Sequence, residues 1–127
     1  MIVGTEWLVE AHGCAEDMLR DEPALRQLIA RIIDDLELKV LGSVWHKFES
    51  EGGVTGIVAL TESHLACHTY PEHGVATFNL YCCKTRPEWD WPAKLESILK
   101  ARAVQITKIE RGGKTSESKS TRAGGRG

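Results

Sequence analysis

Hydrophobic and polar positions alternate through "TEWLVEAHG", residues 5–13, the period-2 signature of a strand with one buried face. The period changes after Asp21. Leu25, Leu28, Ile29, Ile32, Ile33 and Leu36 recur at helical spacing and form one apolar stripe. Asp21 stands before that run as an N-cap, with Glu22 and Pro23 in the first turn. "LKVLGSVWHKF" and "VTGIVALTE" predict the next two strands, parted by a turn from Glu49 to Gly53. "HLACHTY" continues the second of these past an interruption at Glu62-Ser63, and Pro71 to Gly74 is a turn. "VATFNLYCC" is a further strand. "RPEWDWP" opens a second helix, capped by Asp90, with Trp91, Leu95, Ile98 and Leu99 as its buried stripe. "AVQITKIER" is the last strand.

This order predicts an α+β two-layer sandwich, a mainly antiparallel sheet with two helices on one face. The other face then needs a cover, and a second copy of the chain, giving a homodimer, is the economical one. Residues 113–127, "GKTSESKSTRAGGRG", are polar, glycine-rich and aperiodic. They predict a disordered tail behind a single domain of residues 1–112.

Composition narrows the function classes. The 127 residues suffice for one ordinary core. A formal net charge of -2 gives no electrostatic footprint for nucleic acid. No apolar run approaches membrane-spanning length, and the first residues carry acids where a signal peptide has its basic region. A soluble, cytoplasmic protein is the expectation. Cys14, Cys67, Cys82 and Cys83 are expected as free thiols, since a chain of this size needs no disulfide framework.

Candidate chemistry concentrates in "TESHLACHTYPEHG", residues 61–74. His64, Cys67, Cys82 and Cys83 could be considered as zinc ligands. Adjacent cysteines on a strand point to opposite faces, however, and structural zinc prefers compact knuckles, so no metal is expected. Ser63 with His64 or His68 and an acid would suit a hydrolase, but no Gly-x-Ser-x-Gly elbow surrounds Ser63. A purely structural strand accounts for Cys67 and Cys82. It accounts less well for Glu62, Ser63 and His64 in succession, which need partners if buried. Alternation in "VATFNLYCC" puts Ala76, Phe78, Leu80 and Cys82 on one face. Cys83 falls on the other, more polar face with Thr77, Asn79 and Tyr81, where a reactive thiol would have to be.

The stretch "GGVTGIVALTESHLACHTYPEHG" with "NLYCC" behind it resembles the small bacterial and archaeal S-adenosylmethionine decarboxylases. The resemblance runs from "WLVEAHGC" through "VLGSVWHKF" to "KIERG". At its centre are Glu-Ser-His-Leu-x-x-His-Thr-aromatic-Pro-Glu and a cysteine eleven residues past the Pro-Glu. It implies a self-cleaving proenzyme with a covalent pyruvoyl group. Ser63 would attack the carbonyl of Glu62, the chain would be cut between them, and the second piece would begin with the pyruvoyl made from Ser63. By the same resemblance His68 is the general base of this processing and Cys83 the proton donor in turnover. Substrate would form a Schiff base with the pyruvoyl, which serves as the electron sink for loss of carbon dioxide. Glu72 would hold the ribose hydroxyls, Leu65 would line the pocket, and Tyr70 and Phe48 would face the adenine.

This chain departs from the family pattern at Tyr70, where tryptophan is common, at Ala66 and Asn79, and in the length of "FESEGGVTG". The same trio of Ser63, His68 and Cys83 would serve an arginine or ornithine decarboxylase, which needs no adenine slot. A non-processing homologue acting as a binding or regulatory partner is the remaining alternative.

Overall fold

Every strand pairing in the computed structural model, which describes residues 1–113, is antiparallel. The elements in chain order are β1 (Gly4–His12), α1 (Glu16–Leu19), α2 (Glu22–Asp35), β2 (Val40–Lys47), β3 (Val54–Leu60), β4 (Ser63–Tyr70), a single 3-10 turn (Pro71–His73), β5 (Val75–Cys82), α3 (Trp91–Leu99) and β6 (Ala103–Arg111). They build one sheet in the order β2-β3-β4-β5-β1-β6.

Both long helices begin where their caps predict. Asp21 Oδ1 accepts from Ala24 N at 3.1 Å, and Asp90 Oδ1 accepts from Ala93 N at 3.3 Å. Each such cap stabilises its helix by about 1 kcal/mol. Leu25, Leu28, Ile29 and Ile32 of α2 and Trp91, Leu95 and Leu99 of α3 are buried in one core. Trp7, Val9, Val58, Leu65, Phe78 and Leu80 meet them from the sheet, so the helices share one face. Ile33 and Ile98, on the flanks of the two stripes, are only partly buried.

The predicted continuation of one strand through Glu62-Ser63 is a reversal instead. Leu60 pairs with Ser63, leaving Thr61 and Glu62 as a two-residue turn between β3 and β4. The non-glycine residues with positive φ among those described are Glu37 and Lys100, neither of them in this turn. A four-residue helix, α1, was not foreseen, since its N-cap is Ala15 and makes no side-chain cap. The tail expected at residues 113–127 lies, apart from Gly113, outside the described residues. Among the described residues no helix is long and apolar enough to cross a membrane.

Candidate active site

Alternation along β4 sorts the candidate residues between two faces. Ser63, Leu65, Cys67 and Thr69 point toward the helix layer, while His64, Ala66, His68 and Tyr70 point to the uncovered face. Ser63 and His68 are five residues apart, so they occupy opposite faces, about 17 Å apart along the strand. Within one chain they do not meet.

Ser63 does meet the end of β5. It pairs with Cys82, and its Oγ lies 3.9 Å from Cys82 Sγ, a long and weak contact. Cys82 is buried and Cys83, one residue further, is exposed, as strand parity predicts. Burial pushes the Cys82 thiol up, opposed by the hydrogen bond from Ser63 and by the Arg86 charge. Cys83 therefore presents the accessible thiol at this end of the sheet. A cavity of about 360 Å³ opens beside both cysteines, lined also by Trp7, Lys84, Arg86 and Lys108.

Glu62 is gripped from the loop that follows Cys83. Lys84 Nζ is 2.8 Å from one carboxylate oxygen, and Arg86 donates to the other at 3.2 Å. The hydrogen bond from Lys84, with the charges of Lys84, Arg86 and Lys39, holds the Glu62 carboxyl below the usual carboxylate range.

The far end of β4 is built differently. Thr69 is buried; its Oγ1 accepts from Val54 N at 2.8 Å and donates to the Leu19 carbonyl at 2.7 Å. That pins the strand end to β3 and α1. Gly53 lies against the same point, where a Cβ would come within 2.5 Å of the Thr69 carbonyl oxygen. Phe48 N donates to the Gly53 carbonyl at 2.8 Å, which folds the β2–β3 loop over Tyr70. Phe48, Tyr70 and Glu72 consequently line one cavity of about 230 Å³. Leu65, the fourth residue expected at the substrate, is fully buried in the core and does not line it. His68 is hydrogen-bonded through Nδ1 to Thr55 Oγ1 at 3.2 Å, and His46 packs edge-on against Phe48 with ring centroids 4.6 Å apart.

Between these ends the uncovered face carries a polar chain across four strands. His64 bonds Asn79 at 2.8 Å, Asn79 donates to Glu6 at 2.7 Å, and Arg111 donates to the other Glu6 oxygen at 2.7 Å. The Asn79 and Arg111 bonds keep the Glu6 carboxyl low. Among the described residues no three His, Cys, Asp or Glu side chains converge as a metal-binding set.

Comparison with known proteins gives this arrangement a family. A model described as S-adenosylmethionine decarboxylase matches residues 5–112. The chain belongs to the S-adenosylmethionine decarboxylase family. It is 34% identical over 111 residues to the S-adenosylmethionine decarboxylase proenzyme of Moorella thermoacetica, covering 87% of this chain and 88% of the relative. Similarity to the proenzyme of Archaeoglobus fulgidus is 37% identity over 83 residues, or 65% of this chain and 73% of that one. The crystal structure of the adenosylmethionine decarboxylase from Aquifex aeolicus VF5 superposes with a TM-score of 0.76 at 27% identity, covering 94% of this chain and 98% of that one. The α+β sheet-and-helix layout is thus the family's own.

Thr55, Lys84 and Arg86, which contact the candidate residues His68 and Glu62, were missed by sequence reasoning. Thr55 faces His68 only through the β3–β4 register. Lys84 and Arg86 lie 22 and 24 positions beyond Glu62, so only the closed hairpin brings the three together.

Proposed function

We propose that the chain is a proenzyme that cuts itself between Glu62 and Ser63 and then decarboxylates S-adenosylmethionine. The observation that carries this reading is the family match across residues 5–112, which includes the whole Glu62-to-Cys83 segment. The local chemistry fits a pyruvoyl group made from Ser63. Ser63 follows a two-residue turn, its hydroxyl faces a thiol rather than a competing charged group, and two cations grip the residue before it. The pyruvoyl group supplies the electron sink that loss of carbon dioxide requires.

The chain's own residues divide the remaining work. Cys83, exposed and one residue from the Ser63 partner, is suited to deliver a proton at that end. Phe48 and Tyr70 offer aromatic faces to an adenine and a sulfonium, and the Glu72 carboxylate offers acceptors to ribose hydroxyls. Leu65 acts from the core, supporting β4 behind Ser63. The relatives compared above carry the S-adenosylmethionine name, which favours that substrate over arginine or ornithine.

A homodimer completes the proposal. Leu8, Val44, Ile57 and Ile109 are exposed on the side of the sheet away from the helices. The occupant that suits this face is a second copy. Each chain has Ser63 and Cys83 at one end of β4 and His68, Tyr70 and Glu72 toward the other; because Ser63 faces the helix layer, an antiparallel copy would reach it around the strand end, beside the exposed Cys83, rather than through the sheet.

Intact mass of the purified protein in reductant tests the reading. The wild type should appear as two pieces, residues 1–62 and 63–127, the second with a blocked N-terminus. Ser63→Ala should stay one chain and release no carbon dioxide from S-adenosylmethionine. A wild type that remains at full mass after long incubation would overturn the proposal and leave a non-processing binding partner in its place.

A further inference from the structure

Arg86 carries a buried donor to which its surroundings offer no oxygen or nitrogen acceptor. Its side chain is only 21% exposed, and Nε is buried without a hydrogen-bond partner among the described residues. Its NH2 group already holds a Glu62 carboxylate oxygen at 3.2 Å. Its side chain also leans on the Cys82 thiol, through charge and a weak hydrogen bond, and Ser63 Oγ contacts the same sulfur at 3.9 Å. A thiol is too weak an acceptor to satisfy a guanidinium. The fork therefore spans Glu62 and the neighbourhood of the Ser63 hydroxyl, with the buried Nε–H in reserve.

We propose that Arg86 receives the carboxylate created at Glu62 when the chain is cut, and so drives the elimination half of self-cleavage. This role presupposes the Glu62–Ser63 cleavage proposed above. In the first half, Ser63 Oγ bonds to the Glu62 carbonyl carbon and the peptide C–N bond breaks. The hydroxyl proton passes to the freed Ser63 nitrogen, leaving an ester. In the second half, a base removes the Ser63 Cα proton, the Cα–Cβ double bond forms and the Cβ–Oγ bond breaks. Its electron pair leaves on Oγ, which is now an oxygen of the Glu62 α-carboxylate. The anionic charge on residue 62 rises from one to two in that step alone.

A planar guanidinium is the side chain best matched to a carboxylate, because two of its N–H groups can bond both oxygens in parallel. Lys84 neutralises the existing side-chain charge from the other side, at 2.8 Å. Arg86 is thus placed to stabilise the leaving group rather than the nucleophile. Its loss should stall the chain at the ester, not at the peptide.

Hydroxylamine distinguishes the two, since it attacks esters and spares peptides. Full-length wild type, Arg86→Gln and Arg86→Lys should be incubated at neutral pH and sampled with and without hydroxylamine, with mass read on both pieces. Expected for Arg86→Gln is cutting slowed roughly a hundred- to thousandfold. Hydroxylamine should then release a 63–127 piece with a free serine N-terminus and a 1–62 piece ending in a hydroxamate. Arg86→Lys, which keeps the charge but loses the fork, should accumulate less ester. Wild-type cutting rates in both variants, with no ester trapped, would overturn the role of Arg86 while leaving self-cleavage intact. A folded Arg86→Gln chain that neither cuts nor yields ester would also overturn it, assigning Arg86 to holding the turn. An uncut wild type would instead overturn the cleavage itself.

Discussion

The two ends of β4 differ in almost every physical respect. At Ser63 the chain turns on two residues, a lysine and an arginine hold the turn's carboxylate, and a buried thiol faces the hydroxyl. At Tyr70 the strand is pinned by a buried threonine, and the cavity beside it joins two aromatic rings to a carboxylate. In the proposed function the first end makes and breaks covalent bonds, and the second offers the surface for an aromatic cation. About 23 Å of strand separates them, which is too far for one substrate to use both. On that proposal a single copy carries two half-sites, each deficient in what the other holds.

Complementation is the sharpest test of that division and has the largest expected effect. Ser63→Ala and His68→Ala chains should each remain uncut when made alone. Co-expressed with distinguishable tags, only the His68→Ala chain should be cut, and about half of its copies if pairing is random. A His68→Ala chain that stays whole in the mixture would place the working histidine in the same chain as the serine.

Within the Ser63 end, the adjacent cysteines should separate cleanly. Cys83→Ala should self-cleave yet lose roughly 10²- to 10⁴-fold in turnover, the usual cost of removing a positioned acid. Cys82→Ala should retain turnover and lose stability by about 1 kcal/mol through a small cavity, read by denaturant unfolding. Equal losses of turnover in the two folded variants would break the assignment. At the other end, Tyr70→Ala should raise KM for S-adenosylmethionine about tenfold and leave self-cleavage unchanged, from the loss of an aromatic face to the cation. An unchanged KM would remove Tyr70 from the binding surface.

Local patterns made much of this molecule legible. Asp21 and Asp90 announced their helices because a capping side chain is a single-residue signal followed by a periodic stripe. Parity in "VATFNLYCC" separated Cys82 from Cys83 because β5 is regular over its whole length. The β3–β4 reversal was hidden because "LTESHL" contains neither glycine nor the Asn-Gly or Asp-Gly pairs that mark two-residue hairpins. Without the turn, Thr55 could not be set opposite His68, nor Glu62 beside Lys84 and Arg86. The separation of Ser63 from His68 was implicit in their odd spacing, yet it acquires meaning only once both residues are known to share one unbroken strand.

The strand order β2-β3-β4-β5-β1-β6 has one more consequence. A cut after Glu62 assigns β1, β2 and β3 to one piece and β4, β5 and β6 to the other. The pairs β3 with β4, β5 with β1 and β1 with β6 then join different molecules. β1 is clasped on both sides by the piece it no longer belongs to, so the nicked protein holds together without a covalent link. Refolding is another matter. An uncut chain recovers by a first-order process at any dilution, whereas separated pieces must first collide. The proposed cut would thereby turn a concentration-independent stability into one governed by mass action, and the durability of the cut protein would rest on how slowly it opens.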